Sequence, residues 1–315
     1  MIISASRRTD IPAFYSDWFI DRLEKGYLYV KNPMNRKQVS KIRLNIETID
    51  CIVFWTKNPI PLMTRLETFN SFPYYFQYTL NAYDGKIEKN TPEISKRIDT
   101  FRRLSNRIGP EKIIWRYDPI FFTDGYAYED HLIYFEKIAR GLEEYTLKCV
   151  VSFLDVYKKC ERNMKALSFS TLDDIKMVNI ASEFAKIAEQ SGISVETCAE
   201  DIDLLDVGVK KGKCIDDKLI SRITGKSFIA KKDKTQRDEC GCIESVDIGA
   251  YNSCRHNCVY CYANFNREAV LKNMSNHVQG SALMCGSLVG DEKIIERKAK
   301  TLFNKRTSGG EQLKF

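Results

Sequence analysis

No run of eighteen apolar residues occurs anywhere in this 315-residue chain, which argues against a membrane-spanning helix. The opening "MIISASRRTDIP" has no basic segment followed by a long apolar core, so it does not read as a secretory signal. It reads as a strand that starts at once, and the expected location is the cytoplasm. A Gly-rich dinucleotide loop is missing too, as is any internal repeat of fixed period. The composition is otherwise that of a globular enzyme, with 43% hydrophobic and 29% charged residues.

Cysteine, by contrast, is plentiful. Eleven are present, an odd number in a chain without an export signal, so metal or redox use is a better reading than a disulfide framework. The formal charge of +7 suits acidic partners such as phosphates or nucleic acid, and it also suits a lysine-rich solvated surface.

Short β-branched and aromatic runs predict strands at 2–6, 51–55, 74–79, 112–117, 148–153 and 193–198. Amphipathic stretches at 93–107, 129–143 and 173–190 predict helices between them. In the last, Ile175, Val178, Ala181, Phe184, Ala185 and Ala188 are read as the apolar face, with Gly192 just past its end. Strands alternating with helices mean parallel βαβ units. Without a dinucleotide loop, the expected α/β architecture is a full or partial (β/α) TIM-like barrel rather than a doubly wound sheet.

After residue 200 the texture changes. Residues 1–200 read as β/α barrel units, and 201–245 as a cysteine-containing insert with the basic stretch "GKSFIAKKDKTQR". Residues 246–275 read as a strand, loop and helix completing the same barrel, and 276–315 as a C-terminal extension. In such barrels chemistry gathers at the C-terminal ends of the strands. Those ends carry Arg7, Arg8, Asp10, Lys57, Arg116, Asp118 and Glu200. Arg116 and Asp118 share strand parity with Ile114, so all three are expected to face inward. An internal salt-bridge layer is the competing reading for any one such pair.

Within "SCRHNCVYCYA" (253–263), Cys254, Cys258 and Cys261 have the spacing C-x3-C-x2-C. Thiolates so spaced on a loop entering a helix can converge, as in iron–sulfur sites. Chance would give the spacing in roughly one chain in 75, so it is good evidence without being decisive. A closed zinc site wants four ligands, and this loop supplies three. His256, between two of the cysteines, reads as a bystander, and His131 and His277 carry no spacing signal.

"GAYNSCRHNCVYCYANFN" resembles the [4Fe–4S] loop of radical S-adenosylmethionine (radical SAM) enzymes. Its C-x-H-x-C-x-Y-C-Y-A run is similar to that of spore photoproduct lyase and its photolyase-like relatives. The chain as a whole resembles the family called domain of unknown function 1848, through "SASRRTDIP", "FWTKNP", "WRYDP" and the C-terminal cysteine loop. The lyase resemblance implies that Cys254, Cys258 and Cys261 hold a [4Fe–4S] cluster, with S-adenosylmethionine on the open iron. It also implies that Tyr260 contacts this cosubstrate and that Lys57 meets its carboxylate. A reducing donor such as flavodoxin or ferredoxin would serve such a cluster. The Gly-Gly-Glu motif common in the superfamily is absent, and Asp10 and Asp118 are the candidates for the amino group on charge grounds. Arg7, Arg8, Arg116 and Glu200 are candidates for an unidentified substrate.

In the lyases the cluster loop follows strand one. Here the corresponding strand, "SVDIGAY" (245–251), comes last, while strands matching the next ones begin the chain. A circular permutation follows, with the C-terminal strand beside the N-terminal one. An appended iron–sulfur domain is the alternative.

Four further cysteines, Cys198, Cys214, Cys240 and Cys242, are a candidate second site for an auxiliary [4Fe–4S] cluster or zinc. Strand direction sets Cys242 and Cys198 at opposite barrel ends unless residues 240–245 fold back across the mouth. Cys51 and Cys149 read as core, and Cys160 and Cys285 show no partner pattern. The terminal "EQLKF" loosely resembles sliding-clamp-docking peptides, with a disordered tail the competing reading. Two functions stand at this stage. One is a radical SAM enzyme of unidentified substrate, with a nucleic-acid-related substrate as a minor refinement. The other is an iron–sulfur or zinc binding protein without SAM chemistry, such as an electron carrier or a metal-stabilised nucleic-acid module.

Overall fold

The computed structural model describes residues 1–165, 167–227, 231–299 and 301–303, so the terminal "EQLKF" lies outside the described residues. Its centre is one eight-stranded sheet: β1 (Ile2–Ala5), β2 (Cys51–Thr56), β3 (Tyr74–Thr79), β4 (Ile113–Ile120), β5 (Lys148–Phe153), β6 (Ser194–Thr197), β7 (Lys210–Lys211) and β8 (Val246–Asp247). The spatial order is β7-β6-β5-β4-β3-β2-β1-β8, and every adjacent pair is parallel. Each strand therefore lies beside its sequence neighbour, and the last lies beside the first. Ile3 pairs with Val246 and Ser4 with Asp247, so the strand before the cysteine loop belongs to the main sheet.

Six helices of eight residues or more accompany the sheet among the described residues: α1 (Ser16–Lys25), α2 (Ile94–Ile108), α3 (Tyr128–Leu142), α4 (Asp174–Gln190), α5 (Asp217–Thr224) and α6 (Arg267–Ser275). None is long and apolar enough to cross a membrane. Buried side chains separate into two cores by strand parity, because successive residues point to opposite faces. Ile3, Ile52, Phe54, Phe76, Trp115 and Val151 pack with Phe101 of α2, Phe135 of α3 and Phe184 of α4. Phe135 and Phe184 stack with centroids 3.8 Å apart, clamping α3 to α4. The alternate residues Ile2, Cys51, Val53, Tyr75, Ile114 and Val150 pack with Cys214, Ile215, Leu219, Ile220, Cys240, Cys242 and Ile243. Residues 214–220 and 240–243 thus cover the second face. Burial on both faces explains the unbroken apolar run in "CIVFWT".

Residues 201–245 contribute β7 to the main sheet as well as this cover. No ladder joins β7 to β8 among the described residues, although Ile243 N–H donates to Ile215 O at 3.2 Å between the segments flanking them. The apolar face of α4 differs from the sequence expectation. Ile180, Ala181, Phe184 and Ala188 are buried, while Ile175 is 74% exposed. Nine residues, two and a half turns, place Ile175 opposite Phe184. A hairpin at Tyr27–Lys31 and Gln38–Arg43, absent from the expected elements, is extended by Lys293–Glu296 into a small second sheet. The C-terminal segment therefore returns to the start of the chain. Trp18 Nε1 donates to Ser281 O at 2.8 Å.

Asp247 fastens β8 to β1. Its Oδ2 accepts from Ser4 Oγ at 2.9 Å and Arg7 N at 2.8 Å, and its Oδ1 accepts from Ser6 Oγ at 2.6 Å and Gly249 N at 3.0 Å. The approach is close enough to require glycine at 249, where an added Cβ would stand 2.7 Å from Ser6 Cβ. Gly249→Ala is expected to cost about 1–3 kcal/mol of stability through this overpacking, read as a lower midpoint in urea unfolding.

Candidate functional site

The strand C-termini open into a cavity of about 620 Å³, within the roughly 300–1,000 Å³ range of small-molecule sites. Arg7, Arg8, Asp10, Lys57, Arg116, Asp118 and Tyr260 line it, and so do all seven candidate ligand cysteines. Glu200 is not in the lining. It caps the end of β5 by accepting from Phe153 N at 2.9 Å. Burial pushes its carboxyl up to about 7, against the Phe153 hydrogen bond and with help from Asp155.

The cysteine loop is shaped by its asparagines. Asn252 and Asn257 take left-handed backbone at φ +54°, which asparagine tolerates better than most residues. Asn252 Oδ1 accepts from Phe265 N at 3.0 Å and Asn266 N at 3.1 Å, closing the loop onto the start of α6. Val259 N donates to Ile87 O at 3.0 Å and Tyr15 OH to Ser253 O at 2.7 Å, so the loop is held from outside as well. Burial raises all three thiols, Cys254 to about 12 and Cys258 and Cys261 upward. A buried thiol that resists ionisation in isolation is stabilised as thiolate by a bound cation.

The donor set is three sulfurs. The imidazole on the loop is already engaged: His256 is buried, with Nε2 2.8 Å from Asp10 Oδ2 and Nδ1 3.1 Å from Asn90 O. Soft thiolates without an available imidazole or carboxylate fit an iron–sulfur cluster. Among the described residues, no three Cys, His, Asp or Glu side chains already stand grouped for a single metal ion. A multi-iron cluster spreads its ligands more widely than one ion does.

Lys57 connects the loop to the sheet twice. Its backbone N–H donates to Asp10 Oδ2 at 2.7 Å, the oxygen that meets His256. Its ammonium donates to Glu88 Oε1 at 2.8 Å and to Tyr260 OH at 2.9 Å. Asp10 also caps the short helix after β1, Oδ1 accepting from Ala13 N at 2.9 Å. Its oxygens are thus taken up by holding the loop. Glu88 is fully buried and accepts from Lys57, Tyr260, Asn81 (3.0 Å) and Arg97 (2.9 Å). Burial alone would raise its carboxyl, but Lys57 and Arg97 bring it down to about 2. Burial works against the Lys57 ammonium, and Glu88 carries it above the ordinary lysine value.

Across the cavity stands the second group of thiols. Cys198 Sγ and Cys214 Sγ are 3.0 Å apart, and Cys240 and Cys242 lie in the same buried cluster as Cys214, with Ile215 N donating to Cys242 Sγ at 3.3 Å. Residues 240–243 do fold back: Cys240 and Cys242 precede β8 and line the same cavity as Cys198. Hydrogen bonding to Cys214 lowers Cys198 to about 7 and lowers Cys242 as well. Arg116 donates to Cys214 Sγ at 2.7 Å and to Asp118 Oδ2 at 2.7 Å, so Arg116 and Asp118 do face inward together. Trp55 lies against both arginines, with Arg7 at 5.1 Å and Arg116 at 5.3 Å from its ring centroid. Arg8 lies over Tyr251 at 5.1 Å. Cys51 and Cys149 are wholly buried in the strands.

Glu88, Arg97 and Asp247 were missed by sequence reasoning. Arg97 carried a signal, since it sits one turn from Phe101 on the apolar face of α2 and such an arginine needs a buried anion. Glu88, in the turn "YDGKIEKN", carried none. Glu88→Gln leaves Arg97, 1% exposed, and Lys57 without their counterion, and is expected to cost about 3–5 kcal/mol. Because the folded carboxyl lies at about 2 against an ordinary 4.5, its contribution is present above pH 4.5 and is lost as pH falls through 2. Circular dichroism melts between pH 6 and 2, about four pH units, should show a shallower acid loss in Glu88→Gln than in the native chain.

No curated protein and no solved structure matches the chain. One family model does, described as Domain of unknown function (DUF1848), and its match runs over residues 2–263. It begins in β1 and ends two residues beyond Cys261, so the strand pairing, Lys57, Glu88 and the whole three-cysteine loop fall within one family unit. The chain belongs to the DUF1848 family.

Proposed function

We propose that the chain is a radical SAM-type enzyme whose sheet is a circularly permuted, TIM-like partial barrel. The observation that carries this reading is the position of three thiols, Cys258 buried and Cys254 and Cys261 half-buried, on the rim of a cavity at the strand C-termini, with no further Cys, His, Asp or Glu grouped with them for a metal among the described residues. When bound there, a [4Fe–4S] cluster with S-adenosylmethionine supplies, on one-electron reduction, methionine and a 5′-deoxyadenosyl radical that abstracts hydrogen from substrate.

The chain's own residues do the rest. Cys254, Cys258 and Cys261 hold the cluster, and Asp10 through His256 and Glu88 through Tyr260 fix the loop that carries them. Lys57 and Tyr260, at the cavity wall, are placed to meet the cosubstrate. Lys57 stays charged through Glu88, so it can answer a carboxylate without leaving a buried cation unpaired. Arg7, Arg8, Arg116 and Asp118 form the wall that an incoming substrate meets. The electron comes from a donor such as flavodoxin or ferredoxin. An electron carrier, the competing function, has no use for a cavity of about 620 Å³ lined by paired guanidiniums and carboxylates.

Anaerobic reconstitution with iron and sulfide, followed by dithionite and S-adenosylmethionine, tests the proposal. The native chain is expected to take up about four irons at this loop and release 5′-deoxyadenosine, and Cys258→Ala to release none. A stable cluster that neither binds nor cleaves S-adenosylmethionine overturns it.

A further inference from the structure

The seven cysteines lining the cavity form two groups of different character. Those of the loop lie on one short segment. Cys198, Cys214, Cys240 and Cys242 come from three places: the end of β6, the stretch after β7 and the stretch before β8. Cys198 Sγ stands 3.0 Å from Cys214 Sγ, and Cys240 and Cys242 share a buried cluster and the cavity lining with Cys214, although among the described residues the four are not yet gathered round a single point. Hydrogen bonds also arrive from outside, from Arg116 to Cys214 Sγ at 2.7 Å and from Ile215 N to Cys242 Sγ at 3.3 Å. Thiolates that ligate metals are commonly held by such outer-shell donors.

We propose that these four cysteines form a mononuclear tetrathiolate site for zinc, structural in role and separate from the three-cysteine loop. The Cys198–Cys214 separation favours a single ion over a second cubane. A zinc–sulfur bond of about 2.3 Å sets the sulfurs of a tetrahedral site roughly 3.8 Å apart. The 3.0 Å contact needs less than about 1 Å of opening to reach that. A cubane binds each cysteine to a different iron and needs its sulfurs much farther apart. Metal entry would replace the protons that the thiols share.

Charge agrees. Zinc with four thiolates carries a net charge of minus two, and two guanidiniums stand at the group. Arg116 is in contact, and Arg7, which also lies against Trp55, has its NH2 nitrogen buried without a hydrogen-bond partner. The site would tie residues 214–220 and 240–243, which cover the second face of the sheet, to the end of β6. It would do so where no ladder joins β7 to β8 among the described residues. Its task is then to hold the cavity wall.

The test uses the full chain with Cys254→Ser, Cys258→Ser and Cys261→Ser combined, which removes the loop thiols and makes the result independent of the radical SAM reading. Expected are about one zinc per chain, X-ray absorption at the zinc edge showing four sulfurs at about 2.3 Å, and loss of zinc on adding Cys198→Ser and Cys242→Ser. If those additions prevent folding, the sulfur count on the foldable triple variant decides. Iron with acid-labile sulfide in the triple variant, fewer than four sulfurs on zinc, or a metal-free protein with a Cys198–Cys214 disulfide would each overturn the proposal.

Discussion

Two buried carboxylates flank Lys57, and the cysteine loop hangs from both. Asp10 joins the Lys57 backbone to His256, and Glu88 joins the Lys57 ammonium to Tyr260. His256 lies between Cys254 and Cys258, and Tyr260 between Cys258 and Cys261, so each spacer of the loop carries one side chain held by a buried carboxylate. Neither carboxylate tolerates loss of its partners cheaply, because a buried charge left alone keeps its desolvation cost and loses its compensation. Arg97 supplies the second cation on Glu88, so that Lys57 is not its only support.

This arrangement depends on the sheet's order. The loop follows β8, and β8 lies beside β1, whose end supplies Asp10, which in turn meets the end of β2. Strands from the two extremes of the family unit must pair before the grip can form. Asp247 makes that pairing specific, with one carboxylate accepting four hydrogen bonds from β1, its following loop and Gly249. The late position of the cysteines thus carries no structural penalty, because the strand that precedes them pairs in parallel with the first.

Much of the sheet was legible because its strands are apolar on both faces and the helices between them are amphipathic. The neighbourhood of the last and first strands was also legible, from the order of short motifs. The face of α4 was misjudged because apolar residues stand on both sides of it, and only packing against Phe135 selects Phe184 over Ile175. The hairpin at 27–43 was invisible for a related reason: it pairs with residues 293–296, far away in the chain. Cysteine identity marked both thiol groups. That the second group assembles depends on residues 240–243 turning back across the sheet, which no local pattern encodes. Glu88 lies furthest from view, since its burial is decided entirely by what packs around a polar turn.

On the proposed reading, three thiolates would leave one coordination position of a bound cluster open toward the cavity. Electron paramagnetic resonance of the reduced, iron-reconstituted chain, before and after adding S-adenosylmethionine, addresses it most directly. A changed spectrum on addition, absent when S-adenosylmethionine is replaced by methionine and adenosine separately, is what the account predicts. A spectrum indifferent to S-adenosylmethionine would contradict it.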